Sequence, residues 1–145
     1  MTNMNDKYKL YVITVILDII LMLILYFNDL MLFDKLWIYS ILLIHLIFYV
    51  ALEKNIREIL DILHTFIFIF PILSIFANNM FIKFVSIFLL IVIQVLWVYE
   101  NRCILNEEKN AFGYGNELNT FCIVFTSILA LNMGYTCDSI TNISL

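Results

Sequence analysis

Charged residues are scarce in this chain: Asp, Glu, Lys and Arg make up only 14% of its 145 residues, while 63% are apolar. A water-soluble domain has about 25% charged and about 45–50% apolar residues, because its surface must be solvated. The composition therefore excludes an aqueous globular domain and a disordered tail. With 8 Lys and Arg against 12 Asp and Glu, the net charge is -4, so no basic surface could hold a nucleic-acid backbone.

Small residues are also rare, with 4 Ala and 3 Gly, and there is 1 Pro. Helices in lipid often approach one another through small residues four positions apart, and this chain has few residues to supply that contact. Its helices must instead pack through Ile, Leu and Phe surfaces and a few polar contacts. The 25 Ile, 13 Phe and 13 Asn beside only 2 Arg indicate an AT-rich genome, as found in large DNA viruses, some protists and low-GC bacteria.

The three cysteines, at positions 103, 122 and 137, form no CxxC pair, and the only two histidines lie far apart in the sequence. Zinc sites need three or four ligands, and redox sites use paired cysteines. We therefore expect no metal, no cofactor and no catalytic residue set. Cys103, just beyond the fourth apolar run, is a candidate site for palmitoylation.

Four long apolar runs dominate what the sequence does contain. About 20 apolar residues at a 1.5 Å rise match the roughly 30 Å hydrocarbon core of a bilayer. Backbone groups in lipid must bond within their own segment, and these runs are too long and too uniformly apolar for barrel strands, so they are expected to be helices. The predicted spans are residues 8–27, 36–52, 59–77 and 80–99.

A fifth stretch, residues 120–135, is apolar but short, and Asn132 and Gly134 weaken its end. It can form a thin span, a re-entrant segment or a helix lying in the membrane interface, and a fifth crossing is slightly favoured. The expected fold class is all-α. Residues 1–145 would form a single membrane domain, a polytopic transmembrane helical bundle of four spans with a possible fifth.

Cationic residues are divided unequally between the two ends of these spans. Two lie at one end, Lys35 and Lys83, and six lie at the other: Lys7, Lys9, Lys54, Arg57, Arg102 and Lys109. Because cytoplasmic segments carry the excess of Lys and Arg, the amino terminus and the loop at 53–58 are expected in the cytoplasm. Opposite charges four residues apart in that loop further predict that a helix continues past the membrane there with a solvated face.

An ionisable residue lies in the middle of each of the first two predicted spans, Asp18 in one and His45 in the other. A charge at that depth costs about 2.5–3.5 kcal/mol on insertion scales, so Asp18 is expected to face other helices. Each residue is about ten positions from the intervening loop, so antiparallel helices could bring the two level. Asp18 then either binds a proton or cation, or is a hydrogen-bonded carboxyl that fixes helix packing; the second is favoured.

Three further residues interrupt the apolar runs. His64 follows Asp61 by three residues, so the carboxylate could orient the imidazole, and a satisfied interfacial histidine is favoured over a metal ligand. Gln94 is expected to hydrogen-bond a neighbouring helix. Pro71 removes an amide from the third span and clashes with the carbonyl of Ile67, which predicts a helix kink.

Residues at the end of the fourth span follow a distinctive order: Trp97, then Asn101-Arg102-Cys103-Ile104-Leu105, then Glu107-Glu108. This order resembles a Trp…Asn-x-Cys-(Pro or Ile)-Leu stretch of uncharacterised small four-span membrane proteins of bacteria and large DNA viruses. The match covers about twelve residues, and Asn106 stands where those proteins have Thr. The resemblance implies a four-helix membrane fold and no particular activity.

Three classes of function remain. The preferred one is a structural or assembly role in a membrane or larger complex, such as a viral membrane, with the protein embedded in the bilayer beside other membrane proteins or a second copy. The alternative is a small oligomeric ion or proton channel or transporter that uses Asp18 and His45, with His64 and Gln94 along the pathway. A lipid-modifying enzyme is least favoured, because the sequence offers no combined nucleophile, base and metal site.

Overall fold

The computed structural model describes residues 4–100 and 122–134, and all regular structure in these ranges is helical. Four long helices follow one another along the chain: α1 (Met4–Phe27), α2 (Leu32–Lys54), α3 (Arg57–Leu73) and α4 (Met80–Glu100). A 3-10 helix, Ser74–Phe76, directly follows α3. A shorter helix, α5, covers Cys122–Gly134.

Three helical segments are long and apolar enough to cross a membrane: Asp6–Phe27, Leu32–Lys54 and Arg57–Phe76. The first three predicted spans are therefore found as apolar helices, with ends a few residues from the expected ones. Two other apolar segments are shorter, Met80–Leu96 within α4 and Cys122–Gly134. At 1.5 Å per residue, α5 extends over about 20 Å, which is less than the roughly 30 Å of a hydrocarbon core.

The connection between α2 and α3 is a short turn at Asn55 and Ile56 within the charged segment 53–58. Asn55 adopts the left-handed conformation, with φ 54° and ψ 43°, which Asn tolerates better than most residues. The N–H of Asn55 donates to the carbonyl of Leu52 at 3.4 Å, and the N–H of Ile56 donates to that of Ala51 at 2.9 Å. These two bonds form a Schellman motif, so α2 ends here and α3 begins at Arg57.

At the opposite end, a buried carboxylate ties the start of α2 to the start of α4. Asp34 is only 1% exposed and accepts the backbone N–H groups of Asn78 at 3.0 Å and Asn79 at 3.1 Å. The side chain of Asn79 in turn accepts the N–H of Phe81 at 2.9 Å, as an N-cap does. We call this part of the molecule the Asp34 end, and the part around the α2–α3 connection the Asn55 end.

Helices that are neighbours in sequence pack together, α1 on α2, α2 on α3 and α3 on α4. Nearer the Asp34 end, one core joins residues of α1, α2 and α4, among them Leu17, Leu21, Trp37, Ile38, Ile41, Ile82 and Val85. Nearer the Asn55 end, a second core joins α2 and α3 through Phe48, Ala51, Leu52, Leu60 and Leu63. Buried apolar side chains thus stabilise the packing of the helices at both the Asp34 end and the Asn55 end.

The faces that point away from these cores are apolar as well. Large side chains on them are half exposed or more, among them Ile16 and Ile19 of α1, Leu43 and Leu46 of α2, and Phe84 of α4. Soluble monomers seldom expose contiguous apolar surface of this kind, whereas hydrocarbon solvates it without cost. The outward faces therefore agree with the composition in indicating a membrane protein.

Candidate functional site

Asp18 of α1 and His45 of α2, which the sequence placed at a similar depth, are in contact. Nδ1 of His45 lies 2.5 Å from Oδ1 of Asp18, and the Tyr49 hydroxyl donates to Oδ2 of the same carboxylate at 2.8 Å. The side chains of His45 and Asp18 are only 17% and 23% exposed. One carboxylate on α1 is thus held by two side chains of α2, one turn apart on the same helix face.

The polar contacts continue from this group towards the Asn55 end. The Tyr11 hydroxyl donates to Oε2 of Glu53 at 3.0 Å and lies 3.4 Å from the carbonyl oxygen of Tyr49. The rings of Tyr11 and Tyr49 are stacked, with centroids 5.6 Å apart and planes within 6° of parallel. We call the five residues Tyr11, Asp18, His45, Tyr49 and Glu53 the polar ladder.

The two tyrosine hydroxyls of the polar ladder serve different carboxylates. Side chains on a helix lean towards its amino terminus, and α1 and α2 run in opposite directions. Tyr11 therefore reaches towards the Asn55 end and Glu53, while Tyr49 reaches towards Asp18. The ladder consists of two hydrogen-bonded groups joined by a ring stack, rather than one unbroken row of exchangeable protons.

Beyond Asp18 and His45, towards the Asp34 end, the interface between the helices is apolar. Leu21 and Ile24 of α1 and Ile38 and Ile41 of α2 are all buried there in one core. Polar side chains in an apolar medium are costly unless they are bonded to one another, and the ladder supplies such bonds. The polar ladder is thus a row of hydrogen-bonded side chains along the half of the α1–α2 interface nearer the Asn55 end, and the rest of that interface is apolar.

The other polar residues singled out from the sequence lie elsewhere. His64, on α3, has its ring 5.9 Å from that of Phe68, and within the described residues no hydrogen bond joins it to Asp61, which is exposed. Gln94 is half-buried on α4, and no bond links it to another residue in the ranges that the structure describes. These two residues do not join the polar ladder.

Pro71 lies inside α3, which continues for two more residues before the 3-10 helix begins at Ser74. The Ser74 hydroxyl donates to the carbonyl of Pro71 at 2.6 Å, and Nε1 of Trp37 donates to the carbonyl of Phe70 at 3.1 Å. Pro71 thus lies close to the point where the 3-10 helix replaces α3, and directly after Phe70, whose carbonyl accepts a hydrogen bond from Trp37 of α2. The kink itself stays a prediction.

Two further expectations concern metal binding and Cys103. Among residues 4–100 and 122–134, no group of three or more His, Cys, Asp or Glu side chains could hold a metal ion. Cys103 lies outside the described residues. A buried lysine lies on α4: Lys83 is 3% exposed, and its Nζ donates to Oδ1 of Asn132 on α5 at 2.5 Å.

Three members of the polar ladder, Tyr11, Tyr49 and Glu53, were not predicted as site residues. A signal for them exists in the spacing: His45, Tyr49 and Glu53 are each four residues apart, so they share one face of α2. Tyr11 lies seven residues before Asp18, two turns along α1. A polar residue at every turn of an apolar helix marks the face that meets a partner helix.

No protein family, curated protein or solved structure matches the chain. The resemblance to small four-span membrane proteins therefore stays a prediction, and its residues 101–108 lie outside the described ranges. Function has to be argued from the geometry of the helices and the polar ladder.

Proposed function

We propose that this protein is a multi-pass integral membrane protein with a structural or assembly role in a membrane or larger complex, including a viral one. In this proposal α1 to α4 form a four-span bundle with the amino terminus in the cytoplasm. The 21 residues of α4 rise by about 31 Å, enough for a fourth crossing. The excess of Lys and Arg at the Asn55 end supports the orientation.

The observation that carries the structural role is the division of polar and apolar groups. The polar ladder bonds to itself between α1 and α2, whereas side chains such as Ile19, Leu43 and Leu46 point outward. Hydrogen bonds between membrane helices contribute about 0.6–2 kcal/mol each, so the ladder stabilises a hairpin that offers apolar faces to its surroundings. Such faces can pack on acyl chains or on other membrane polypeptides.

Photo-crosslinking in the native membrane tests the assembly role. A benzophenone side chain placed at Leu43 or Leu46 should give discrete adducts with a second copy or with another membrane protein. The same group at the fully buried Ile38 should give only products within the chain, and serves as the control. Adducts with lipid alone from both outward positions would contradict the assembly role.

The second candidate is a proton or cation channel or transporter, which the contact between Asp18 and His45 favours because two titratable groups meet halfway along the helices. The apolar core towards the Asp34 end and the ring stack of Tyr11 and Tyr49 argue against a continuous pathway. Purified protein in liposomes should therefore give no proton or cation flux above that of empty liposomes. Robust flux that disappears in Asp18→Asn would favour this second candidate instead.

A further inference from the structure

An elongated cavity of about 170 Å³ lies between α1, α2, α3 and α4. Its wall on α1 runs from Leu10 to Leu21, and its wall on α4 runs from Val85 to Leu96. Each of these segments has twelve residues and rises by about 16 Å, so the cavity extends along roughly half of a 30 Å hydrocarbon core. Its volume is therefore spread over this length.

Almost the whole wall of the cavity is hydrocarbon. Two of its polar residues, Thr14 and Ser86, donate their hydroxyls to carbonyls of their own helices, at 2.8 Å to Leu10 and 3.0 Å to Ile82. A buried water needs two to four polar partners, and these hydroxyls are already engaged. The remaining polar wall groups are the indole N–H of Trp37, which donates to the carbonyl of Phe70, and two histidines, of which His45 turns Nδ1 to Asp18. The wall thus favours an apolar occupant over water.

The shape of the cavity selects among apolar occupants. A compact cavity of about 150 Å³ accepts a benzene ring, whereas here a similar volume extends over about 16 Å, which favours a long, linear occupant over a compact one. One leaflet of a bilayer, half of the roughly 30 Å core, is the depth that a single acyl chain fills. The length of the cavity matches that depth.

We propose that this cavity is a binding site for one linear acyl chain, carried either by a membrane phospholipid or by a free fatty acid. The chain would lie along α1 and α4, with the ring of His45 part-way along its path. Filling the cavity would supply the dispersion contacts that its lining side chains otherwise lack. The site does not depend on the assembly role, because it uses only the interior of one polypeptide.

Photolabelling of protein purified in a steroid-based detergent, which carries no acyl chain, tests this site. The two probes are a palmitic acid and a phosphatidylcholine, each with a diazirine in its acyl chain, and mass spectrometry locates the adducts. We expect adducts on the residues lining the cavity in α1 and α4. Labelling by palmitic acid alone would identify a free fatty acid as the source, labelling by the phosphatidylcholine alone would identify a phospholipid, and labelling by both would show that the site accepts the acyl chain from either.

Matched substitutions on α4 separate the cavity from the outer surface. Val92 lines the cavity, so the larger side chain of Val92→Phe should occupy the cavity and abolish the interior adducts. Val95→Phe, at a position that is 60% exposed, should leave those adducts unchanged. Leu89→Phe provides a second filled variant if Val92→Phe unfolds in a thermal melt. Adducts confined to the outward faces, or interior labelling that survives a folded filled variant, would overturn the proposal.

Discussion

At the scale of single residues, the polar ladder shows why a few polar side chains can organise an apolar hairpin. Ile and Leu surfaces pack in many registers, but the carboxylate of Asp18 has good partners in only one, where His45 and Tyr49 both reach it. An incorrect register would leave a polar group unbonded in hydrocarbon. These residues therefore specify how α1 lies on α2 as well as stabilising the contact.

Replacing Asp18 by Ala should lower the free energy of unfolding by about 1–3 kcal/mol, because it removes two interhelical bonds and leaves the His45 ring and the Tyr49 hydroxyl without their acceptor. Reversible unfolding in mixed detergent micelles measures the change. Thr14→Val is the matched control: its hydroxyl bonds only its own helix, so the cost should stay within about 0.5 kcal/mol. Equal losses in the two variants would show that the ladder does not stabilise the hairpin.

The residues also show how far the sequence could predict this site. Asp18 and His45 stand out because an ionisable group in an apolar run must find a partner, and loop length places the two at one depth. Tyr11 and Tyr49 do not stand out in the same way, because aromatic residues are common near membrane interfaces and their spacing alone does not say which helix they face. Contact between helices decided their role.

At the scale of helices, the tie at the Asp34 end fixes where α4 begins. Asp34, in the first turn of α2, bonds two backbone N–H groups in the turn that precedes α4. The adjacent residues Asn78 and Asn79 suit a tight turn, because Asn tolerates the backbone geometry of turns. The sequence does not show that Asp34 bonds this turn, because Asp34 precedes Asn78 by 44 residues and Asn79 by 45.

Asp34→Ala should lower the free energy of unfolding by about 2 kcal/mol, because both N–H groups lose their acceptor in a buried place. Asp34→Asn keeps one carbonyl oxygen and should lie between Ala and wild type. The control is Asp29→Ala, a neighbouring exposed carboxylate, which should change stability by less than about 0.5 kcal/mol. A loss as large for Asp29→Ala as for Asp34→Ala would contradict the role given to the tie.

The α2–α3 connection shows the limit of local pattern at this scale. Charges four residues apart predicted helix past the membrane in this segment, and helix is found up to Lys54 and from Arg57, but such pairs contribute only about 0.2–0.5 kcal/mol each and do not say where a helix ends. Asn55 instead takes the left-handed conformation and closes α2 with two backbone bonds. Capping and the packing of α3 back onto α2 outweigh weak surface pairs, so the helix ends within the charged segment.

At the scale of the whole molecule, hydropathy predicted helices well, because hydrocarbon allows the backbone few other choices. It could not predict how those helices pack, since most outward and inward faces are equally apolar. The interior cavity and the position of α5 against α3 and α4 depend on side-chain shape, as in the small core of Leu90, Cys122 and Leu129. Periodicity carries no such information.

The proposed topology places the Asn55 end in the cytoplasm and the Asp34 end outside. In a background with its three native cysteines replaced by Ser, Asp29→Cys should react with an impermeant maleimide on intact cells, because few cationic residues hold that end inside. Glu58→Cys should react only after permeabilisation. Labelling of both from the same side would contradict the membrane crossing between them, and the reverse pattern would invert the orientation.

The tie at Asp34 also has a consequence for biosynthesis. The carboxylate leaves the ribosome 44 residues before the N–H group of Asn78 that it accepts. At about 5–20 residues per second, the delay is about 2–9 s. During that interval Asp34 needs a temporary source of hydrogen bonds, such as headgroups, water or the insertion machinery, so the start of α2 has to stay at the hydrated membrane boundary until α3 and the turn at Asn78 have been synthesised.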